Sequence, residues 1–422
     1  MKVLVVGQGG REHALVKAIK RSKKVERIYC APGNGGIEQD AICLPIQEDD
    51  FPRLVEAVQQ YQIDLTVVGP ENPLHAGIVD YFQERGLPII GPSKVAARIE
   101  ASKSFAKKLM AKYNIPTADY QVFDHAEAAI EYVKEKGAPI VIKADGLAAG
   151  KGVVVANTVD EAIIAIQNMM EQQIFGTAGQ KIVIEEFLEG EELTVMSFVD
   201  GEHFIMMEPA QDHKPIFDGD KGPNTGGMGS YSPVPQMGQE LLHRVREQII
   251  KPIIAGMANE GYPFKGILYA GLMMTKSGPK VIEFNARFGD PETQVILPRL
   301  KTDLIDIFTA IQNGTLDQLQ LEWDQQAAVC VIMSSKGYPG DYEKGKPIKI
   351  NETLLPKQTE IYLAGVRREQ GHLLTNGGRV LGVTALGTTI QEAKERAYQG
   401  VQAISFEGAH YRTDIANKAI YK

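Results

Sequence analysis

Four short apolar runs near the start of the chain, KVLVVG, RIYCAPG, DLTVVG and LPIIG, each close on glycine without alternating polar positions. Continuous apolar strands of this kind are buried on both faces, as in a parallel sheet covered by helices. The segments between them read as those helices. Residues 11–22 carry Ala14, Leu15, Ala18 and Ile19 on one stripe, and FPRLVEAVQQY and LHAGIVDYFQERG follow the same pattern. Repeated βα units predict a doubly wound α/β domain over residues 1–101.

The character changes near Glu100. A helix, SKSFAKKLMAKY, is followed by α+β patterning: Asp124 and Glu127 form a capping pattern ahead of HAEAAIEYVKEK, and Thr158 with Glu161 forms another. Strands PIVIKA and VVVA flank the glycine loop DGLAAGKG, and KIVIEEFL, ELTVMSFVDG, GILYAGLMMT and PKVIEFNA read as further strands. Residues 210–236 show little periodicity and are too long for a plain connection, which suggests a functional loop. The chain divides into a middle module over 102–323, with a small lobe at about 118–190, and a separate small α/β domain over 324–422.

Composition narrows the function. The 422 residues are 44% hydrophobic and 23% charged, which suits a folded chain of about three domains. Lys plus Arg number 45 against 53 Asp plus Glu, a net charge of −8, so a nucleic-acid surface is not expected. No apolar run reaches membrane-span length. The opening MKVLVVG has no export-signal pattern, and Cys30, Cys43 and Cys330 form neither a disulfide framework nor a metal-ligand spacing, so a cytoplasmic protein is expected.

The glycine clusters carry the chemistry. Gly7-Gln8-Gly9-Gly10-Arg11-Glu12 follows the first strand but puts Glu12 where a dinucleotide fingerprint needs its third glycine, and the second strand ends without an acid. NAD binding, and with it a dehydrogenase, is therefore disfavoured; an anion at the helix N-terminus and a merely tight turn both remain open. DGLAAGKG lacks the first glycine and the Ser/Thr of a P-loop and lies between strands. It reads as a hairpin whose Gly146, Gly150 and Gly152 let backbone approach phosphate and let the tip close as a lid, or as a flexible hairpin beside a solvated Lys143. In VIEFNARFGDPETQ, strand alternation puts Glu283 and Asn285 on one side, an oxygen pair suited to Mg²⁺, with Arg287 next in the row if the strand extends and Asp290 in a turn. A solvated edge strand is the plain alternative. EEFLEGEELTV offers an inter-strand link for an adenine edge or a solvated turn. QDHK and GPNTGGMG place Asp212, His213 and Lys214 beside four glycines, as an acid/base cluster, a salt bridge or structural residues.

DGLAAGKG, EEFLEGEELTV and IEFNARFGDPETQ, in this order, resemble the ATP-grasp superfamily. With VLVVGQGGREHAL, VVGPENPLHAGIVD, SKSFAKKLM, QDHKPIFDGDKGPNTGGMGSYSP and TNGGRVLGVTALG, the whole chain resembles the phosphoribosylamine–glycine ligase family. The resemblance implies a doubly wound N-terminal domain, an ATP-grasp module of two lobes and a small C-terminal α/β domain. It implies ATP as co-substrate, Mg²⁺ or Mn²⁺ as cofactor, and ligation of glycine to 5-phosphoribosylamine through glycyl phosphate, in a cytoplasmic monomer of purine biosynthesis. Lys103, Lys143, Gly150 and Lys151 then belong to the triphosphate site, Lys143 and Arg287 to catalysis. Glu185, Phe187 and Leu188 would form the adenine link, Glu192 would hold the ribose, and Glu283 and Asn285 the metal. Asp212 would take the glycine ammonium, Gly9, Gly10, Arg11 and Arg379 the sugar phosphate, and Glu71 and Asp290 the ribose hydroxyls or amine. One departure stands out: many relatives carry a metal carboxylate on the strand before Glu283, and GILYAGLMMT has no acid. A carboxylase-type ATP-grasp ligase and a non-catalytic nucleotide sensor are the rival readings.

Overall fold

The computed structural model describes residues 1–147 and 152–420. The N-terminal segment runs β1 (Lys2–Gly7), α1 (Gly10–Lys20), β2 (Arg27–Pro32), β3 (Ile42–Cys43), α2 (Phe51–Tyr61), β4 (Leu65–Val68), α3 (Glu71–Ala76), α4 (Ile78–Gln83), β5 (Ile89–Ile90) and α5 (Lys94–Ala101). Its strands are all parallel, in the order β3-β2-β1-β4-β5. Val3, Leu4 and Val5 are wholly buried because helices cover both faces. Strand order reverses between β1 and β4, so a crevice opens at their carboxyl ends, where Gln8–Arg11 and Pro70–Glu71 lie.

α6 (Lys103–Lys112) leads into a small lobe: β6 (Tyr120–Phe123), α7 (Ala126–Lys136), β7 (Ile140–Ala144), β8 (Val153–Ala156), α8 (Val159–Ile166) and β9 (Ile182–Glu186). The strands form an antiparallel sheet, β6-β9-β7-β8. Thr158 caps α8 as expected, accepting from the Glu161 N–H at 3.2 Å, while the Glu161 carboxylate accepts from the Asn157 N–H at 2.7 Å. The expected Asp124 cap on α7 is not made. The helix begins one residue later, with His125 at the cap making no side-chain bond, so Glu127 falls one position short of a capping box. Ile142, Ile166 and Ile184 give this lobe its own core.

The large lobe contains β10 (Glu191–Asp200), β11 (Phe204–Met206), β12 (Gln211–Asp212), β13 (Pro215–Phe217), β14 (Lys221–Asn224), β15 (Gly229–Ser232), α9 (Gln239–Val245), α10 (Lys251–Asn259), β16 (Lys265–Thr275), β17 (Gly278–Asn285), α11 (Thr293–Ile296) and α12 (Leu304–Asn313). An antiparallel sheet, β11-β10-β16-β17, is its platform. The stretch 210–236 is not a long loop: short strands organise it, and two of them enter the sheet of the last block. That sheet runs β12, β15, β18 (Ala327–Ser335), Arg379–Gly387, then Thr359–Leu363, with Gly229 opposite Val331. One buried cluster contains Leu4, Phe284 and Leu381, so N-terminal, middle and C-terminal segments share a core from which the small lobe's core is separate.

Leu381 is wholly buried in the centre of the shared sheet, opposite Met333 and Leu363. Leu381→Ala is expected to cost roughly 2–5 kcal/mol of stability, read from the midpoint of urea unfolding.

Candidate active site

The site is organised by a β-bulge. Gly271 of β16 lies opposite Glu283 while the next residue, Leu272, lies opposite Val281, which leaves Ile282 as the extra residue of β17. Val281 and Phe284 therefore both point into the core, while Glu283 and Asn285 face a cleft. Burial alone would raise the Glu283 pKa, but the ammonium groups of Lys214, Lys103 and Lys143 hold it below its ordinary value. The Asn285 amide N–H₂ donates to the Glu283 carboxylate at 3.4 Å. Among the described residues no group of three or more His, Cys, Asp or Glu is placed to hold a metal, and β16 adds no acid. Two adjacent oxygen donors among cations that also attract phosphate fit a hard divalent ion whose remaining ligands come from phosphate and water.

Lysines face this pair from β7 of the small lobe and from α6, which packs in the shared core. Lys143, at the end of β7, is buried; its ammonium pairs with Glu185 at 3.0 Å and donates to the Ile282 carbonyl at 3.1 Å. The bulge frees that carbonyl. Lys103 starts α6 and, among the described residues, makes one hydrogen bond, to the Gly146 carbonyl at 3.3 Å. Burial lowers its pKa, with Glu283 opposing. Asp145 of the glycine hairpin serves as an anchor for α6: its carboxylate accepts from the Ser104 N–H at 2.7 Å and from the Ser104 and Ser102 hydroxyls. The Glu185 side chain is a lysine clamp, shared by Lys143 and the buried Lys107. Gly150 and Lys151 lie outside the described residues, as does most of the hairpin tip proposed as a lid.

At the carboxyl end of the N-terminal sheet, Arg287 sits in the loop just after β17. Its guanidinium is bracketed by Glu71 at 3.0 Å and Glu100 at 3.1 Å. Burial opposes its charge, yet these two carboxylates push its pKa up. Glu100 also accepts from the Ala286 N–H at 2.8 Å, fixing the loop that carries Arg287. Asp290 pairs with Arg379 of the C-terminal segment at 3.3 Å; burial opposes its ionisation, but Arg379 and Arg11 hold its pKa below the ordinary carboxylate range. Arg379 also donates to the Gly226 and Asp290 carbonyls, each at 2.8 Å.

The glycine-rich turn after β1 has an unforeseen tenant. The Glu12 side chain folds back over it and accepts from the Gly9 N–H at 2.5 Å. It fills the space where a Cβ on Gly7 would lie, 2.6 Å from Glu12 Cγ, and Gly7 also has a φ of +126°. Arg11 is buried beside it, bonded to Glu12 at 2.6 Å and to the Phe288 carbonyl at 3.1 Å. The turn thus houses a carboxylate where a dinucleotide fold would house pyrophosphate.

Lys214 is the residue whose weight the sequence understated. It bridges Glu192 at 2.5 Å and Asp212 at 3.0 Å; burial works against its charge, but these carboxylates hold its pKa well above the ordinary value. His213 faces away, packed on Tyr231, and burial pushes its pKa down to about 4, so it is a neutral core residue. Glu292, buried, accepts from the Tyr269 hydroxyl at 2.8 Å and the Thr194 hydroxyl at 3.1 Å; burial and nearby Asp212 raise its pKa.

These groups line one cleft. A cavity of about 420 Å³ is bordered by Arg11, Glu71, Lys103, Asp212, Asn285 and Arg287. A narrower slot of about 180 Å³, walled by Val141, Val155, Phe187, Leu188 and Met273, continues from it past Glu185 and Glu283. Gly9, Gly10 and Arg379 also border a third cavity of about 630 Å³, which Asp290 joins to the first. The salt bridge that QDHK offers is made, between Lys214 and Asp212. Lys107, Glu100 and Glu292 are site residues that sequence reasoning misses; of these Lys107 has a local signal, lying one helical turn after Lys103 on the same face.

Family models describe the same three segments. The N domain of phosphoribosylglycinamide synthetase matches residues 1–100, its ATP-grasp (A) domain residues 101–293 and its C domain residues 328–418. The chain belongs to the phosphoribosylglycinamide synthetase family. A curated relative from Halalkalibacterium halodurans, named phosphoribosylamine–glycine ligase, is 54% identical over 420 residues, covering 100% of this chain and 97% of that protein. One of the same name from Caldanaerobacter subterraneus is 51% identical, with 99% of each covered. The crystal structure of phosphoribosylamine–glycine ligase from Thermotoga maritima aligns with a TM-score of 0.87 at 35% identity, over 98% of this chain and 100% of that one. The biotin carboxylase domain of Hydrogenobacter thermophilus 2-oxoglutarate carboxylase, solved with ADP, magnesium and bicarbonate, shares the fold at 15% identity and a TM-score of 0.74, over 97% and 91%.

The oxygen pair generates a direct expectation. Glu283→Gln should raise the Mg²⁺ concentration needed for half-maximal ATP turnover by about tenfold or more, since the only charged ligand of the pair becomes a neutral amide. A metal titration of turnover checks this.

Proposed function

We propose that this chain joins glycine to 5-phosphoribosylamine, converting ATP to ADP and phosphate and giving glycinamide ribonucleotide for purine biosynthesis. The observation that carries the proposal is the single cleft in which an apolar slot opens onto Lys103, Lys143, Arg287 and the Glu283–Asn285 pair. No helix among the described residues is long and apolar enough to cross a membrane. Free Cys30, Cys43 and Cys330 fit a reducing cytoplasm.

In this reading the adenine lies between Phe187–Leu188 and Val155, and Glu192 exchanges its Lys214 contact for a ribose hydroxyl. The triphosphate extends past Lys103 and Lys143 towards β17. Glu283 and Asn285 would hold Mg²⁺ or Mn²⁺, which supplies charge neutralisation at the phosphates. The glycine carboxylate attacks the γ-phosphorus; the bond to the β–γ bridging oxygen breaks, and ADP leaves glycyl phosphate behind. Lys143 and Arg287 face the transferred group as fixed positive charge. Asp212 takes the glycine ammonium. The ribosylamine nitrogen then attacks the acyl carbon, the C–O bond to phosphate breaks, and the nitrogen loses a proton. Glu71 and Asp290 lie at the junction where the amine and ribose hydroxyls would enter. The sugar phosphate sits in the 630 Å³ cavity, where Arg379, Gly9 and Gly10 are joined by Lys344, Arg367 and Arg368, with Arg11 on the adjoining cavity.

Mass detection of glycinamide ribonucleotide from glycine, ATP and ribosylamine phosphate tests the proposal. Product with bicarbonate or formate but not glycine would favour another ATP-grasp ligase; ATP binding without turnover would favour a sensor. Lys143→Ala should lower kcat roughly 10²–10³-fold, the size of a lost transition-state donor, while far-ultraviolet circular dichroism stays native.

A further inference from the structure

We propose that Lys107 is a positioning residue for nucleotide binding: it fixes the Glu185 carboxylate and, through it, sets the Lys143 ammonium at the junction of the two lobes. The inference rests on the reading of the cleft as an ATP site and adds a residue that touches none of the substrates.

Lys107 is 2% exposed. Its ammonium forms an ion pair with Glu185 at 3.0 Å and donates to the Thr117 hydroxyl at 2.8 Å and the Ala118 carbonyl at 3.3 Å. Three partners within the protein hold it back from a phosphate, in contrast to Lys103. The contacts close a ring on β17. The Thr117 hydroxyl donates to the Val281 carbonyl at 2.7 Å, and the Val281 N–H donates to the Pro116 carbonyl at 2.8 Å. Glu185 continues to Lys143, which returns to β17 at the Ile282 carbonyl. The ring therefore runs Val281, Thr117, Lys107, Glu185, Lys143, Ile282. It ties a small lobe with its own core to the strand that presents Glu283 and Asn285.

Charge counting gives the ring a direction. Two ammonium groups share one carboxylate, which leaves one net positive charge near the phosphates. Without Lys107, Glu185 would neutralise Lys143 alone and draw it away from the triphosphate. Burial lowers the Lys107 pKa to about 8; Glu185 and Glu186 on β9 oppose this, Lys143 on β7 reinforces it, and the Tyr120 ring of β6 lies 5.4 Å from the ammonium. The ring is thus charged below that pH and loses a charge above it.

Calorimetric titration with MgATP, without glycine or amine, tests the proposal on wild type, Lys107→Met, Glu185→Gln and the double variant. Lys107→Met should bind MgATP about tenfold more weakly, and the double variant no more weakly than the weaker single one, because both act through one contact. In steady-state assays the KM for ATP should rise with the KM for glycine unchanged. Wild-type affinity should fall above pH 8, and that of Lys107→Met should stay level from pH 7 to 9. Should the Met variant not fold, Lys107→Gln, which removes the charge but keeps a polar N–H₂ group, carries the same expectations. Wild-type affinity in a folded Lys107 variant, or effects that multiply in the double variant, would overturn the proposal. A wild type that binds no MgATP would overturn the nucleotide site itself and the proposal with it.

Discussion

A cleft built for a triphosphate and a carboxylate must keep several cations where little water can reach them. Left alone, each would be driven to shed its proton or its place. Here several of those cations are shared with carboxylates: Arg287 between Glu71 and Glu100, Lys214 between Asp212 and Glu192, and Lys107 with Lys143 on Glu185. These pairs hold the cationic groups oriented before nucleotide arrives, so that less reorganisation accompanies binding. They do so at a desolvation cost that the shared core must offset, which makes them devices of geometry more than of stability.

That arrangement explains why the segments are interlocked. Arg287 belongs to the ATP-grasp segment, but the carboxylates that aim it come from the N-terminal sheet and its last helix. Arg379 comes from the C-terminal block and reaches back to Asp290 and the Gly226 carbonyl. β12 and β15, which lie inside the middle segment, complete the C-terminal sheet. Only the small lobe keeps a core of its own, and it is the part that a bound nucleotide would have to meet by moving.

Much of this was legible in the chain, for physical reasons that also mark where legibility stops. Apolar runs ending in glycine announced the parallel sheet, and period-two alternation announced β17, because both depend on local burial. The glycine-bearing motifs point to Lys143, Glu283, Asn285 and Arg287, and the family resemblance adds Lys103; these residues do meet in one cleft. Glu100 could not be found this way: it lies in an ordinary helix, and the N–H it fixes is 186 residues further on. Glu12 was read as a broken glycine motif, when its side chain is what fills the turn. The Lys214–Asp212 pair is local and legible in QDHK, but the Lys214 contact with Glu192 and the Glu292 contacts with Tyr269 and Thr194 depend on pairing across the lobe, which no spacing encodes. The Asp124 cap failed by a single residue, the usual margin of helix boundaries.

The bulge at Ile282 has a wider bearing. Simple alternation would put Val281, Glu283 and Asn285 on the same side of β17; the extra residue is what lets Val281 join the core while the two oxygen donors look outward. The strand is thus read in a phase that one residue resets. Homologous chains should tolerate many exchanges of side chain along this stretch but very few changes of its length, since losing one residue would turn the donor row inward and the greasy row towards the nucleotide.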